Sequence, residues 1–313
     1  MPGPGPKYLF IDALDAARGG TAEGVFATLI EQVRSELGDE WVVVASIRTF
    51  DLRNGQRYRE LFAGAPADAA HADARLGAIR HFQVPRLTNV DLATAGATCP
   101  EIAGLLASAT PPLAQLLHNV FNLSLAMELM ACGADPAEFA GIRTQSGLID
   151  TYEDSRMPTT GMARAAAEVA ASMASSRRLA VRKVDVSHPD LDQVIQSGVL
   201  TANGDLVSFP HHVLFDHILG RYHLAWNDTD RLIEQLEGDT SAALLLAPAL
   251  RFAVERVWRG DNEGKSQSWR LVCGIFSTTQ VNAVLCNVAL RIVESTIILM
   301  GVIALNAGLY IVS

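Results

Sequence analysis

The chain has no paired-cysteine motif, no charged leader followed by an apolar run, and no surplus of positive charge. Its four cysteines (Cys99, Cys132, Cys273, Cys286) lie far apart without CxxC or metal-ligand spacing. That pattern excludes a disulfide scaffold and reads as reduced, mostly buried thiols in a cytoplasmic protein. The Met-Pro-Gly-Pro-Gly-Pro start is not a secretory signal. Aromatic residues make up 6% of the chain and charged residues 19%, with a formal net charge of −9. An acidic balance of this size argues against non-specific attraction to nucleic acid or to an anionic membrane. What is abundant is apolar: 49% of 313 residues, a length that suggests about two domains of roughly 150 residues.

Two short apolar runs, Tyr8-Leu-Phe-Ile11 and Trp41-Val-Val-Val-Ala45, flank a helical stretch from Glu23 to Leu37. Continuous apolar runs joined by a helix predict parallel strands in a βαβ unit. A third run, His81-Phe-Gln-Val84, ends at Pro85 and is a further strand candidate. From Asp91 to Tyr152, Leu105, Leu106, Leu113, Leu116, Leu117, Val120, Leu123 and Met127 recur at helical spacing, predicting a small bundle. Beyond Gly161 come an Ala-rich helix, a basic stretch Arg177–Lys183, a helix after Pro189, an Asn203-Gly204 hairpin signal and a strand Leu206–Phe209. The remainder is helical and increasingly apolar.

The chemistry concentrates at the ends of the first two strands. An apolar strand that delivers Asp12 to its carboxyl end, with Asp15 three residues on, matches a Walker B element, in which such an Asp holds Mg²⁺; a plain turn is the other reading of the same residues. Ser46 and Arg48 end the neighbouring run, at the edge where open α/β sheets bind ligands, and an arginine there can contact a terminal phosphate.

In this order the features resemble the signal-transduction NTPases of the STAND class, of which NACHT proteins are one branch. Asp12-Ala-Leu-Asp15 is similar to that class's Walker B, and Ser46-Ile-Arg48 to its sensor strand with one extra residue. Phe209-Pro-His211-His-Val-Leu-Phe-Asp216-His-Ile-Leu-Gly-Arg-Tyr222 is similar to the Phe-x-His pattern that closes its winged helix. The resemblance implies an incomplete P-loop NTPase α/β sheet (1–86), a helical bundle (87–160), a winged-helix domain (161–226) and a helical tail (227–313). It implies ATP and Mg²⁺ as cofactors, with Asp12 on the metal, Asp12, Arg48 and His211 on the nucleotide, and Asp15 as the catalytic carboxylate. The implied role is a nucleotide-controlled switch between closed monomer and open oligomer, with self-association or partner domains of a larger NTPase.

The departures narrow that expectation. Ala16 stands where the class carries its catalytic glutamate, and the seven residues before Tyr8 contain no phosphate loop. A fragment or degenerate form that binds nucleotide weakly or not at all is therefore expected, the alternative being a non-enzymatic helical adaptor. Gly260-Asp-Asn-Glu-Gly-Lys-Ser266 is one residue short of a phosphate loop and follows a helical pattern, so it reads as an exposed turn. His212, Asp216 and His223 would share one helix face, which keeps a two-His-one-carboxylate metal site open beside core packing. Ser146 lacks the surrounding glycines of a nucleophile elbow. The presumptive reading helix Pro189–Ser197 carries two aspartates and no cation, so nucleic acid is not an expected partner. Residues 295–313 are uncharged and reach the minimum length of a membrane span, with a buried helix the favoured reading.

Overall fold

The computed structural model describes residues 5–17, 21–236, 240–258, 262–278, 281 and 283–291. It is mostly helical, with a small α/β part and a second small group of strands. The chain divides into two compact units, one of residues 1–55, 167–186 and 203–313, the other of 56–166 and 187–202.

The first unit opens with β1 (Lys7–Ile11), α1 (Thr21–Glu36) and β2 (Trp41–Ala45). β1 and β2 pair in parallel, Tyr8 opposite Val42 and Phe10 opposite Val44, as the continuous apolar runs predict. One face of this pair belongs to the core: Ile11 is buried, and α1 contributes buried Ala27, Ile30 and Val33. The other face leaves Tyr8, Phe10, Val42 and Val44 exposed, Phe10 by 72%. Parallel sheets are ordinarily covered on both faces, so an apolar surface is left open among the described residues. The sheet has two strands; His81–Val84, expected as a third, has no strand structure. It lies in the second unit, and His81 instead accepts from Asp73 N at 2.8 Å while its other ring nitrogen meets Ile79 O. Those local hydrogen bonds give the backbone an alternative to a ladder.

After α9 (Thr160–Ser176) comes β3 (Val181–Arg182), which pairs antiparallel with β5 (Leu206–Ser208), the strand that follows β4 (Thr201–Asn203) and the turn at Asn203-Gly204. Gly204 has φ +58°, the left-handed backbone that an Asn-Gly turn supplies without a Cβ penalty. α11 (His212–Ile218) then runs into a π-helical turn at Leu219–His223, followed by α12 (Thr229–Leu236), α13 (Thr240–Trp258) and α14 (Asn262–Ser277). Leu214, Phe215, Ile218 and Leu219 are buried with Leu250, Phe252 and Ala253 of α13. A Cβ on Gly220 would meet Ala249 O at 2.5 Å, so only glycine lets this turn approach α13 so closely.

The second unit holds the helices that the leucine spacing predicts, α4 (Asn89–Thr98), α5 (Pro100–Ser108), α6 (Pro111–Leu117), α7 (Val120–Ala131) and α8 (Gln145–Arg156), together with the short α3 (Gln56–Leu61) and α10 (Leu191–Gln196). Thr88 and Asp91 form a capping box at the start of α4, and Pro begins α5 and α6 at positions whose N–H is unpaired anyway. Buried Asn122 is satisfied by Leu116 O and by Gln145 at 2.9 Å. No helix among the described residues is long and apolar enough to cross a membrane; residues 295–313 lie outside them.

Candidate functional site

Left-handed backbone at Ala13 (φ +51°) turns the chain at the end of β1, and Leu14–Ala17 follow as a 3-10 turn. Ser46, just past β2, fixes that turn: its Oγ donates to Asp12 Oδ1 and accepts from Ala13 N at 2.7 Å, while its carbonyl accepts from Leu14 N at 2.8 Å. The consequence separates the two aspartates of the Walker-like motif. Asp12 stays at the exposed strand end, whereas Asp15 turns inward to 2% exposure.

Arg48 leads out of β2 into α2 (Thr49–Asn54) and occupies the helix N-cap. Its Nε lies 2.8 Å from Asp15 Oδ2 and 3.0 Å from Asp51 Oδ2, and its Nη1 lies 2.7 Å from Asp216 Oδ2. Asp15 Oδ1 also accepts from Arg48 N at 3.3 Å, and His212 Nδ1 stands 3.1 Å from Asp15 Oδ2. An ionised carboxylate can only accept, so that imidazole nitrogen carries the hydrogen. One guanidinium thus gathers carboxylates from the β1 loop, from α2 and from α11, all three aspartates being at most 3% exposed.

The electrostatics of the four charged groups differ. Burial works against ionisation of Asp15, but the His212 hydrogen bond and the Arg48 charge outweigh it and hold this carboxyl below the ordinary range. Burial likewise disfavours the charged guanidinium, yet Asp216, Asp51 and Asp15 hold Arg48 still more firmly protonated than usual. Asp51 goes the other way: burial pushes it up to about 7, the charges of Asp15 and Asp216 adding to the effect of burial against the pull of Arg48. Asp216 is also raised, chiefly by burial.

Of the residues singled out in the sequence, Asp15 and Arg48 therefore meet directly, and Asp12 stands one turn away on Ser46. His211 occupies the exposed N-cap of α11, and it is the adjacent His212 that enters the cluster. His212 and Asp216 share the cluster through Asp15 and Arg48, but His223 lines a separate cavity of about 330 Å³ with Tyr222, Trp226, Arg231 and Gln235. Among the described residues His212, Asp216 and His223 do not bring ligand atoms within 4.8 Å of one another, so the metal face left open by the sequence does not form among them. Of the near-miss phosphate loop, Asn262–Ser266 begin α14 as helix and not as the expected turn, and Gly260 and Asp261 lie outside the described residues.

Asp51 was invisible to motif matching. Its signal is local: an aspartate three residues after an arginine, in the first turn of a helix, where both the i,i+3 pairing and the helix dipole favour it.

A bound Mg-ATP does not fit this arrangement. Phosphate needs donors, yet Nε and Nη1 of Arg48 are taken by carboxylates, and Nη2 is shut away from solvent without a hydrogen-bond partner among the described residues. An incoming polyanion would face three buried carboxylates against one guanidinium, a repulsion that low dielectric magnifies. No family model matches the chain, and no curated protein is similar to it.

Proposed function

We propose that this chain is a degenerate signalling NTPase core that works as a switch without turning over nucleotide. In this reading the arginine that would report on a terminal phosphate is diverted to an internal clasp. Arg48 closes α11 down on the carboxyl ends of the two strands, and release of α11 is the switching event. The observation that carries the reading is the simultaneous pairing of Arg48 with Asp15, on the β1 loop, and with Asp216, 168 residues further along the chain. The ordered sequence resemblance supports the same assignment, with the segment around α11 standing for the winged-helix closure. Asp12 is the remaining exposed carboxylate at the strand end, and a lone carboxylate does not make a metal site.

Two measurements test this. Calorimetry should find Mg-ATP binding weaker than about 1 mM, roughly 4 kcal/mol, and no ATPase activity. Light scattering of Arg48→Ala should show larger species than the parent chain, because freed α11 exposes Leu214, Phe215 and Ile218. Micromolar ATP binding, or an Arg48→Ala chain of unchanged size and unchanged protease sensitivity at 209–219, would refute the switch.

A further inference from the structure

A cavity of about 330 Å³ opens between the π-helical turn Leu219–His223, the loop that follows it and α12. Its volume lies at the lower end of the range of small-molecule pockets, about 300–1,000 Å³. Single π-turns are rare and gather at functional sites, where the extra residue turns side chains out of the helical register. The loop is braced from within. Gln235 uses both ends of its amide on it: Oε1 accepts from Ala225 N at 2.7 Å, and Nε2 donates to His223 O at 2.9 Å. Trp226 Nε1 donates to Arg221 O at 3.1 Å, and Leu224 N donates to Leu219 O at 3.1 Å. Asp228 Oδ1 accepts from Arg231 N at 3.1 Å and so joins the loop to the first turn of α12. A wall held in this way needs little ordering when a ligand arrives.

The charges on the wall select the ligand. Arg221 and Arg231 bring two positive charges and Asp228 one negative charge. His223 adds none near pH 7, because desolvation lowers its pKa from the ordinary value. The surplus is a single positive charge, which suits a monoanion; a dianion would leave one charge unmatched beside Asp228. The Arg221 guanidinium sits 5.0 Å over the Tyr222 ring, so that cation is held against an aromatic wall. Arg231 stands on the other side, on α12, and a guanidinium fork matches a carboxylate with two parallel hydrogen bonds. The half-buried Trp226 supplies an apolar ring whose one polar atom is already bonded, a surface on which a planar group can stack.

We propose that this cavity is a binding site for a small aromatic carboxylate, with the carboxylate on Arg231 and the ring against Trp226. The site uses none of the Arg48 cluster, so it is independent of the clasp.

The test is a titration of the full, nitrogen-15-labelled chain with benzoate, followed through the Trp226 indole N–H and the Arg231 amide. Benzamide serves as the neutral comparison and phenyl phosphate as the more highly charged one. The two signals should shift together and saturate with a Kd near about 1 mM. Benzamide and phenyl phosphate should bind about tenfold more weakly than benzoate. Arg231→Gln should weaken benzoate about tenfold, and so should Asn227→Asp, which adds a negative charge at an exposed position of the same wall. The titration of the parent chain requires neither variant to fold. Absence of a saturable shift at about 10 mM benzoate would overturn the proposal. Benzamide or phenyl phosphate binding as tightly as benzoate would overturn it too, as would unchanged benzoate affinity in both variants.

Discussion

Replacing Arg48 with alanine removes the guanidinium that meets Asp15, Asp51 and Asp216 together, three carboxylates whose side chains are 2–3% exposed. Breaking a buried ion pair from one side costs about 3–5 kcal/mol, because the partner stays buried without compensation. The loss should sit at the lower end near pH 6, where a stranded carboxyl can take up a proton, and grow toward pH 8. Urea unfolding followed by tryptophan fluorescence measures it. A double-mutant cycle with Asp216→Ala separates the pair from its surroundings. If the two groups hold each other, the double variant should cost less than the sum of the single ones by more than about 1 kcal/mol. A loss under about 1 kcal/mol for Arg48→Ala, or strict additivity with Asp216→Ala, would refute the reasoning.

Stability should fall as acid passes below about pH 4, since the depressed Asp15 contributes fully above the ordinary carboxylate pKa and loses its contribution as pH drops through its folded value; thermal scans from pH 2 to 6 check this. Gly220→Ala, with a Cβ 2.5 Å from Ala249 O, should cost about 1–3 kcal/mol as an overpacking defect, and an unchanged melting curve would show that the turn and α13 yield freely. The open face of Tyr8, Phe10, Val42 and Val44 should drive self-association, and Phe10→Lys should reduce the mass seen by light scattering.

The parts of the fold legible in the sequence are those whose pattern is local. Tyr8–Ile11 and Trp41–Ala45 could be read as parallel strands because continuous apolar runs bracketing a helix have few other solutions, and the strands observed are Lys7–Ile11 and Trp41–Ala45. The leucine spacing between residues 105 and 123 likewise points to helices, because a 3.6-residue period puts these side chains on one buried face. His81–Val84 misled because an apolar run before proline suits an extended loop as well as a strand. At the site, Asp15 and Arg48 were legible through their places at strand ends. Their union with Asp216 was not, since nothing in the sequence reports a contact across 168 positions. The choice between His211 and His212 turns on one residue of helix phase, which sets whether a residue stands exposed at the N-cap of α11 or turns its side chain to the cluster.

The most direct test of the clasp is segment-resolved hydrogen exchange over residues 212–219, comparing the parent chain with Arg48→Ala under conditions where both remain folded. Loss of a buried partner worth about 3 kcal/mol should lower protection of these amides roughly a hundredfold while the amides of α7 and α8 keep theirs. Equal protection of 212–219 in both chains would contradict the claim that Arg48 holds α11 in place.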